Sequence, residues 1–125
     1  MKRTVSLTEN YLFRRMYRVG KCTVTPHVAV YVKKNRLGKN RLGITATKKI
    51  GGAVQRNRAR RVIREAYRLI EPKMQGNRDI VIVARQKAVF SKMQEVRRSL
   101  EKVLLADGGS PKKPVPERQN AVTLE

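Results

Sequence analysis

The chain has 125 residues, with 30 Lys or Arg against 9 Asp or Glu, and a formal net charge of +21. That length suits one domain with a single core, and the charge points to a polyanionic partner. No run of about 18 apolar residues exists, so a membrane-spanning helix is excluded. The opening MKRTVSLTEN lacks the apolar stretch of a secretory signal, and a cytoplasmic protein is expected.

Charge and composition divide the chain. Residues 106 to 125 balance acids and bases, hold three prolines and lack an amphipathic period, as a disordered tail would. The whole excess of positive charge therefore falls in residues 1 to 105, expected to form a single α/β domain with a polyanionic partner. Such a domain repels itself and is expected to gain stability from phosphate, sulfate or RNA. The lone cysteine, Cys22, permits no internal disulfide, and with one histidine it cannot build a four-ligand zinc site.

In chain order, Ser6-Leu7-Thr8-Glu9 has the spacing of a capping box and Gly20 offers a stop, which predicts a helix from near Thr8 to Val19. Leu12 with Met16, and Phe13 with Tyr17, form (i, i+4) pairs on it, and Arg14, Arg15 and Arg18 occupy the remaining surface. From His27 the period becomes two: Val28, Val30 and Val32 face one way, and His27, Ala29, Tyr31 and Lys33 the other. Residues 34 to 43 read KNRLG twice in tandem, which predicts a long basic hairpin loop whose second copy merges into a strand ending at Thr47.

Lys48 and Lys49 and a glycine turn lead to a second helix over about Val54 to Ile70, closed by Pro72. The run from Asp79 to Arg85 is rich in β-branched residues and almost continuously apolar, as a central strand covered on both faces would be. A last helix is expected over Ser91 to Leu105, with Val96, Leu100, Val103 and Leu104 inward. The expected order is α-β-β-α-β-α, a small α/β sandwich with one mixed sheet packed by helices.

The second helix carries most of the chemistry. At 100° steps, Ala59, Val62, Ile63, Ala66, Leu69 and Ile70 share one arc, the predicted core stripe. Arg56, Asn57, Arg60, Arg61, Arg64 and Arg68 occupy the opposite arc, with Glu65 placed to pair with Arg61 at (i, i+4). Guanidinium groups repeating at one-turn rises of about 5.4 Å suit a phosphate backbone, and they stay charged at any physiological pH. No helix-turn-helix or zipper pattern supports reading of a DNA major groove. Phe13, Tyr17 and Tyr31 could stand on one side of the sheet and stack unpaired bases, which favours RNA with single-stranded character.

The stretch KKIGGAVQRNRARRVIRE, from Lys48 to Glu65, resembles the signature of the protein subunit of bacterial ribonuclease P, with its Arg-Asn-Arg core. The flanks agree: Phe13 and Tyr17 stand where that family has first-helix aromatics, Leu42-Gly43-Ile44 precedes the signature, and the strand from Asp79 to Ala84 follows it. The resemblance covers roughly residues 5 to 105.

The resemblance implies an α/β sandwich with a left-handed βαβ crossover, contrary to the usual hand. It implies a chain that works with a catalytic RNA to remove the 5′ leader of precursor tRNA, the RNA performing the hydrolysis with Mg2+ and the protein supplying no catalytic residue and no tight metal site. On that resemblance Lys48, Lys49, Arg56, Asn57, Arg58, Arg60, Arg61, Arg64 and Arg68 would bind the catalytic RNA. Phe13, Tyr17 and Tyr31 would line the leader cleft, and the protein would be a monomer apart from its RNA partners. Two rivals follow from the residues alone: a structural binder of RNA or DNA, and an autonomous ribonuclease using His27, for which no second acid–base group is evident.

Overall fold

The computed structural model describes residues 4–7, 9–74 and 76–105. The expected disordered tail lies outside them. In chain order the elements are β1 (Thr4–Ser6), α1 (Asn10–Val19), β2 (Lys21–Val24), β3 (Val28–Lys34), β4 (Asn40–Thr45), a 3-10 turn (Lys48–Ile50), α2 (Ala53–Ile70), a second 3-10 turn (Glu71–Lys73), β5 (Arg78–Ala84), α3 (Gln86–Phe90) and α4 (Met93–Leu104). The five strands form one mixed sheet in the order β1-β4-β5-β3-β2.

β5 is central, parallel to β4 and antiparallel to β3, and all seven of its residues are buried. Its alternate side chains feed two cores. Ile80 and Ile82 join Val28 and Val30 beneath α2 and α4, whereas Val81 and Val83 join Ala29, Tyr31 and Met16 beneath α1. The period-two reading of β3 therefore holds on both faces.

The topology forces an unusual hand. β1 and β2 are joined through α1 on one face, and β4 and β5 through α2 on the other; the pairings make all four strands parallel in direction. Both connections step the same way across the sheet. Two such crossovers on opposite faces must have opposite hands, so one of the two βαβ units is left-handed, against the general rule.

Several expectations need correction. Ser6 does not cap α1; it ends β1, which pairs in parallel with β4, and Glu9 takes the N-cap position without a side-chain bond. β3 and β4 are not a hairpin, because β5 lies between them. Their connection is only residues 35 to 39, and it crosses the start of β5, held by Asn35 N–H donating to the Asn77 carbonyl at 2.8 Å and Gly38 N–H donating to Asn77 Oδ1 at 2.6 Å. The second KNRLG copy merges into a strand as expected, but does so from Asn40, which leaves the loop short. Identical residues thus have different fates: Leu37 is exposed and Leu42 buried.

On α2, Ala59, Ile63, Ala66 and Ile70 are buried and Val62 packs beside them as expected, but Leu69 is 37% exposed. Tyr67 takes its place in the core, with its hydroxyl 3.0 Å from Thr4 Oγ1. Thr4 also donates to buried Glu71 at 2.6 Å, so β1 and the end of α2 close over one another through a polar network.

Candidate nucleic-acid interface

The residues singled out in the sequence fall on two surfaces separated by the sheet. On the first, α1 presents Phe13 and Tyr17, both half-buried, against β3 and β5. α1 is a single helix, about 10–12 Å across with its side chains. Five strands span about 19 Å between outer strand axes, so one helix leaves part of this face open. Tyr17 meets Tyr31 edge to face, ring centroids 5.0 Å apart at 70°. The structure brings the three aromatics together but gives them different exposure: Tyr31 is 1% exposed and stands behind Tyr17 as its support.

Burial pushes the Tyr17 phenol up to about 12. The Tyr31 phenol is also raised, by burial first and by neighbouring Cys22 second. The Cys22 thiol is raised by burial as well, partly offset by its hydrogen bond to Tyr31. All three are neutral at pH 7, and of these Tyr17 is the half-exposed aromatic, with a ring on which a base can stack.

Cations border this aromatic face. A pocket of about 250 Å³ is lined by Arg15, Lys33, Lys34, Arg36 and Arg41, with Leu12 and Met16 as its apolar wall. Arg41 is held by Asp79 in a two-point contact, Nε to Oδ1 at 2.8 Å and Nη2 to Oδ2 at 2.7 Å, and Asn35 Nδ2 adds a bond to Oδ1 at 2.7 Å. Burial alone would raise the Asp79 carboxyl, but the bonds from Arg41 and Asn35 outweigh it and hold the group below its ordinary value. Lys33, opposite Asp79 on β3, also feels its charge, and Arg15, Lys34 and Arg36 complete the cationic lining. Sequence reasoning did not find this pocket, since it joins one turn of α1 to the ends of three strands.

The second surface is α2 and the turn before it. Lys48 and Lys49 are exposed on the 3-10 turn, and Asn57, Arg61, Arg64 and Arg68 are exposed along the helix, with Arg56 and Arg60 half-buried. Two of the cations are internally engaged: Arg60 bonds Asn57 Oδ1, and Arg68 pairs with Glu65. The expected Glu65–Arg61 pair is thus replaced by an (i, i+3) pair, which leaves Arg61 open beside Arg64. Arg58 stands outside this row. Its Nε donates to the Val89 carbonyl at 2.9 Å and ties α2 to α3.

His27 has a local structural role. Its Nδ1 lies 2.7 Å from Ser99 Oγ and links the start of β3 to α4. Burial pulls its pKa down, with Glu95 opposing and Lys87 adding to the fall. Among the described residues no three His, Cys, Asp or Glu side chains converge, and the pocket's one carboxylate is engaged by Arg41. No described helix is long and apolar enough to cross a membrane.

Comparison with known proteins agrees with this fold. A family model described as Ribonuclease P matches residues 1–106. A Natranaerobius thermophilus protein named "Ribonuclease P protein component" is 41% identical over 88 residues, covering 70% of this chain and 76% of that one. The solved Staphylococcus aureus RNase P protein superposes with a TM-score of 0.72 at 33% identity, covering 84% of this chain and 97% of that one. The Thermotoga maritima RNase P protein gives 0.67 at 28% identity, covering 77% and 89%. With its Arg-Asn-Arg helix, five-stranded mixed sheet and matched length, the chain belongs to the ribonuclease P protein family.

Proposed function

We propose that this chain is the RNA-binding protein component of ribonuclease P, acting in 5′ processing of tRNA by binding two RNAs at once. The catalytic RNA lies on the α2 surface, across Lys48, Lys49, Arg56, Asn57, Arg58, Arg60, Arg61, Arg64 and Arg68. The 5′ leader of precursor tRNA lies on the α1 surface, across Phe13 and Tyr17 with Tyr31 behind them. The observation that carries this reading is the position of the two surfaces on opposite faces of one sheet, in a chain of this family.

The physics is that of two polyanions brought into contact. Substrate and catalytic RNA repel one another, and a cationic protein between them lowers that repulsion. Arginines on α2 act on phosphates, where affinity depends on charge and falls with salt. The aromatic face acts on bases, at about 1–3 kcal/mol per stacked base and without demanding a sequence, since every base has a π face. The cationic pocket beside it suits the leader's phosphates. The hydrolysis belongs to the RNA with its Mg2+, and the protein works as a monomer in the cytoplasm.

The test is binding by the complex reconstituted with a bacterial ribonuclease P RNA. Precursor tRNA should bind more tightly than mature tRNA, and Phe13→Ala or Tyr17→Ala should shrink that preference. Equal affinity for both RNAs in the wild-type complex would leave a general RNA binder instead.

A further inference from the structure

Phe90 is 82% exposed at the end of α3, while its two predecessors, Ala88 and Val89, are buried at 0% and 2%. This short helix is firmly placed. Ser91 Oγ closes its end by donating to the Lys87 carbonyl at 2.7 Å, and Arg58 Nε grips the carbonyl of the Val89–Phe90 peptide at 2.9 Å. With Ala88 and Val89 turned inward, the next side chain must point out. One exposed apolar residue is ordinary, but the setting here is specific. α3 packs against α2 and the Lys48–Ile50 turn, Val54 on the first turn of α2 is 78% exposed, Arg58 reaches α3 at the Val89 carbonyl, and exposed Lys87 and Lys92 flank Phe90 in sequence.

An apolar ring among cations is a poor seat for an apolar protein partner, which would desolvate those charges without pairing them. It is a good seat for a nucleobase, whose phosphates meet the cations while its face meets the ring. We propose that Phe90 stacks on an unpaired base of the ribonuclease P RNA, extending the RNA surface from α2 across Arg58 onto α3. The inference rests on the function proposed above. The occupant is the catalytic RNA rather than the leader because α3 adjoins the arginine helix, whereas Phe13 and Tyr17 stand on the opposite face of the sheet.

The experiment uses the full chain and the ribonuclease P RNA without substrate. Phe90→Ala and Phe90→Leu should each weaken binding at least about fivefold, the lower end of base–aromatic stacking, with the thermal midpoint unchanged because the ring is exposed. Phe90→Trp should bind like wild type. The chain has no tryptophan, so this variant carries a single reporter whose emission should be quenched by a stacked base. Unchanged affinity in Phe90→Ala, full affinity in Phe90→Leu, or a loss confined to precursor tRNA binding by the complex would each overturn the assignment. Wild-type protein that fails to bind the RNA would bring down the proposed function together with it, whereas intact wild-type binding and an indifferent Phe90→Ala would bring down Phe90 alone.

Discussion

The ring of Phe13 fills the space where a side chain at Gly43 would stand: a β-carbon on Gly43 would clash with Cζ and Cε1 at the edge of that ring, with Leu7 Cδ2 at 3.4 Å. The glycine of β4 is thus the seat that sets the height of an α1 aromatic above the sheet. Gly43→Ala must push Phe13 outward. The expected cost is about 1–3 kcal/mol of stability, as for other overpacked sites, together with a loss of preference for precursor over mature tRNA approaching that of Phe13→Ala. Denaturant unfolding and binding of the two RNAs by the reconstituted complex check both. A destabilised variant with full preference would separate Phe13 from leader binding.

Tyr17 predicts an alkaline weakness. Its phenol is raised to about 12 by burial, against about 10 in an unfolded chain. Between those values the unfolded chain has lost a proton that the folded chain keeps, so this contribution is intact below pH 10 and declines as pH climbs towards 12. Tyr31 and Tyr67 are raised too, and they act in the same sense. Tyr17→Phe should therefore make the fall of the thermal midpoint across that range shallower without abolishing it. An identical pH profile in Tyr17→Phe would contradict the burial of this hydroxyl.

Asp79 predicts the opposite limb. Its folded value is depressed, so its stabilisation is complete above the unfolded value of about 3.9 and lost as pH falls through the folded one. Asp79→Asn leaves Arg41 without its carboxylate and should cost about 1–3 kcal/mol at pH 7. Near pH 3 the difference from wild type should narrow. Urea unfolding at the two pH values measures it.

These relationships were legible in the sequence to very different degrees. α2 and β5 could be read almost to the residue, because an unbroken 3.6 period and a β-branched run each persist over enough residues to outweigh local noise. β1 has three residues and α3 has five, too few for any period to register. The misplaced hairpin has a different cause. β3 pairs with β5, which lies 44 residues further on at its start, and no local signal in the KNRLG copies records a partner that distant. Tyr67 was hidden because its cover is β1, and Ser6 imitated a cap while its backbone belonged to the sheet. On the candidate interface, residue identity gave the arginines and aromatics. Which guanidinium is open, as at Arg61, and which is engaged, as at Arg58, depended on neighbours brought in from Val89 and Glu65.

That division among the arginines can be measured. Arg61 and Arg64 are exposed with no partner among the described residues, so each change to alanine should weaken RNA binding evenly across sequences and lower the salt slope by about one unit, with stability unchanged. Arg58→Ala should instead lower the thermal midpoint, since it releases α3. A salt slope indifferent to both Arg61 and Arg64 would place the RNA elsewhere.

The most direct test of the whole account is cleavage of a 5′-extended precursor tRNA by a bacterial ribonuclease P RNA at low magnesium, with and without this protein. The account predicts correct 5′ processing only when RNA and protein are together, and none from the protein alone. Tight binding of the RNA with no rescue of processing would contradict it and leave a cationic RNA binder without the processing role.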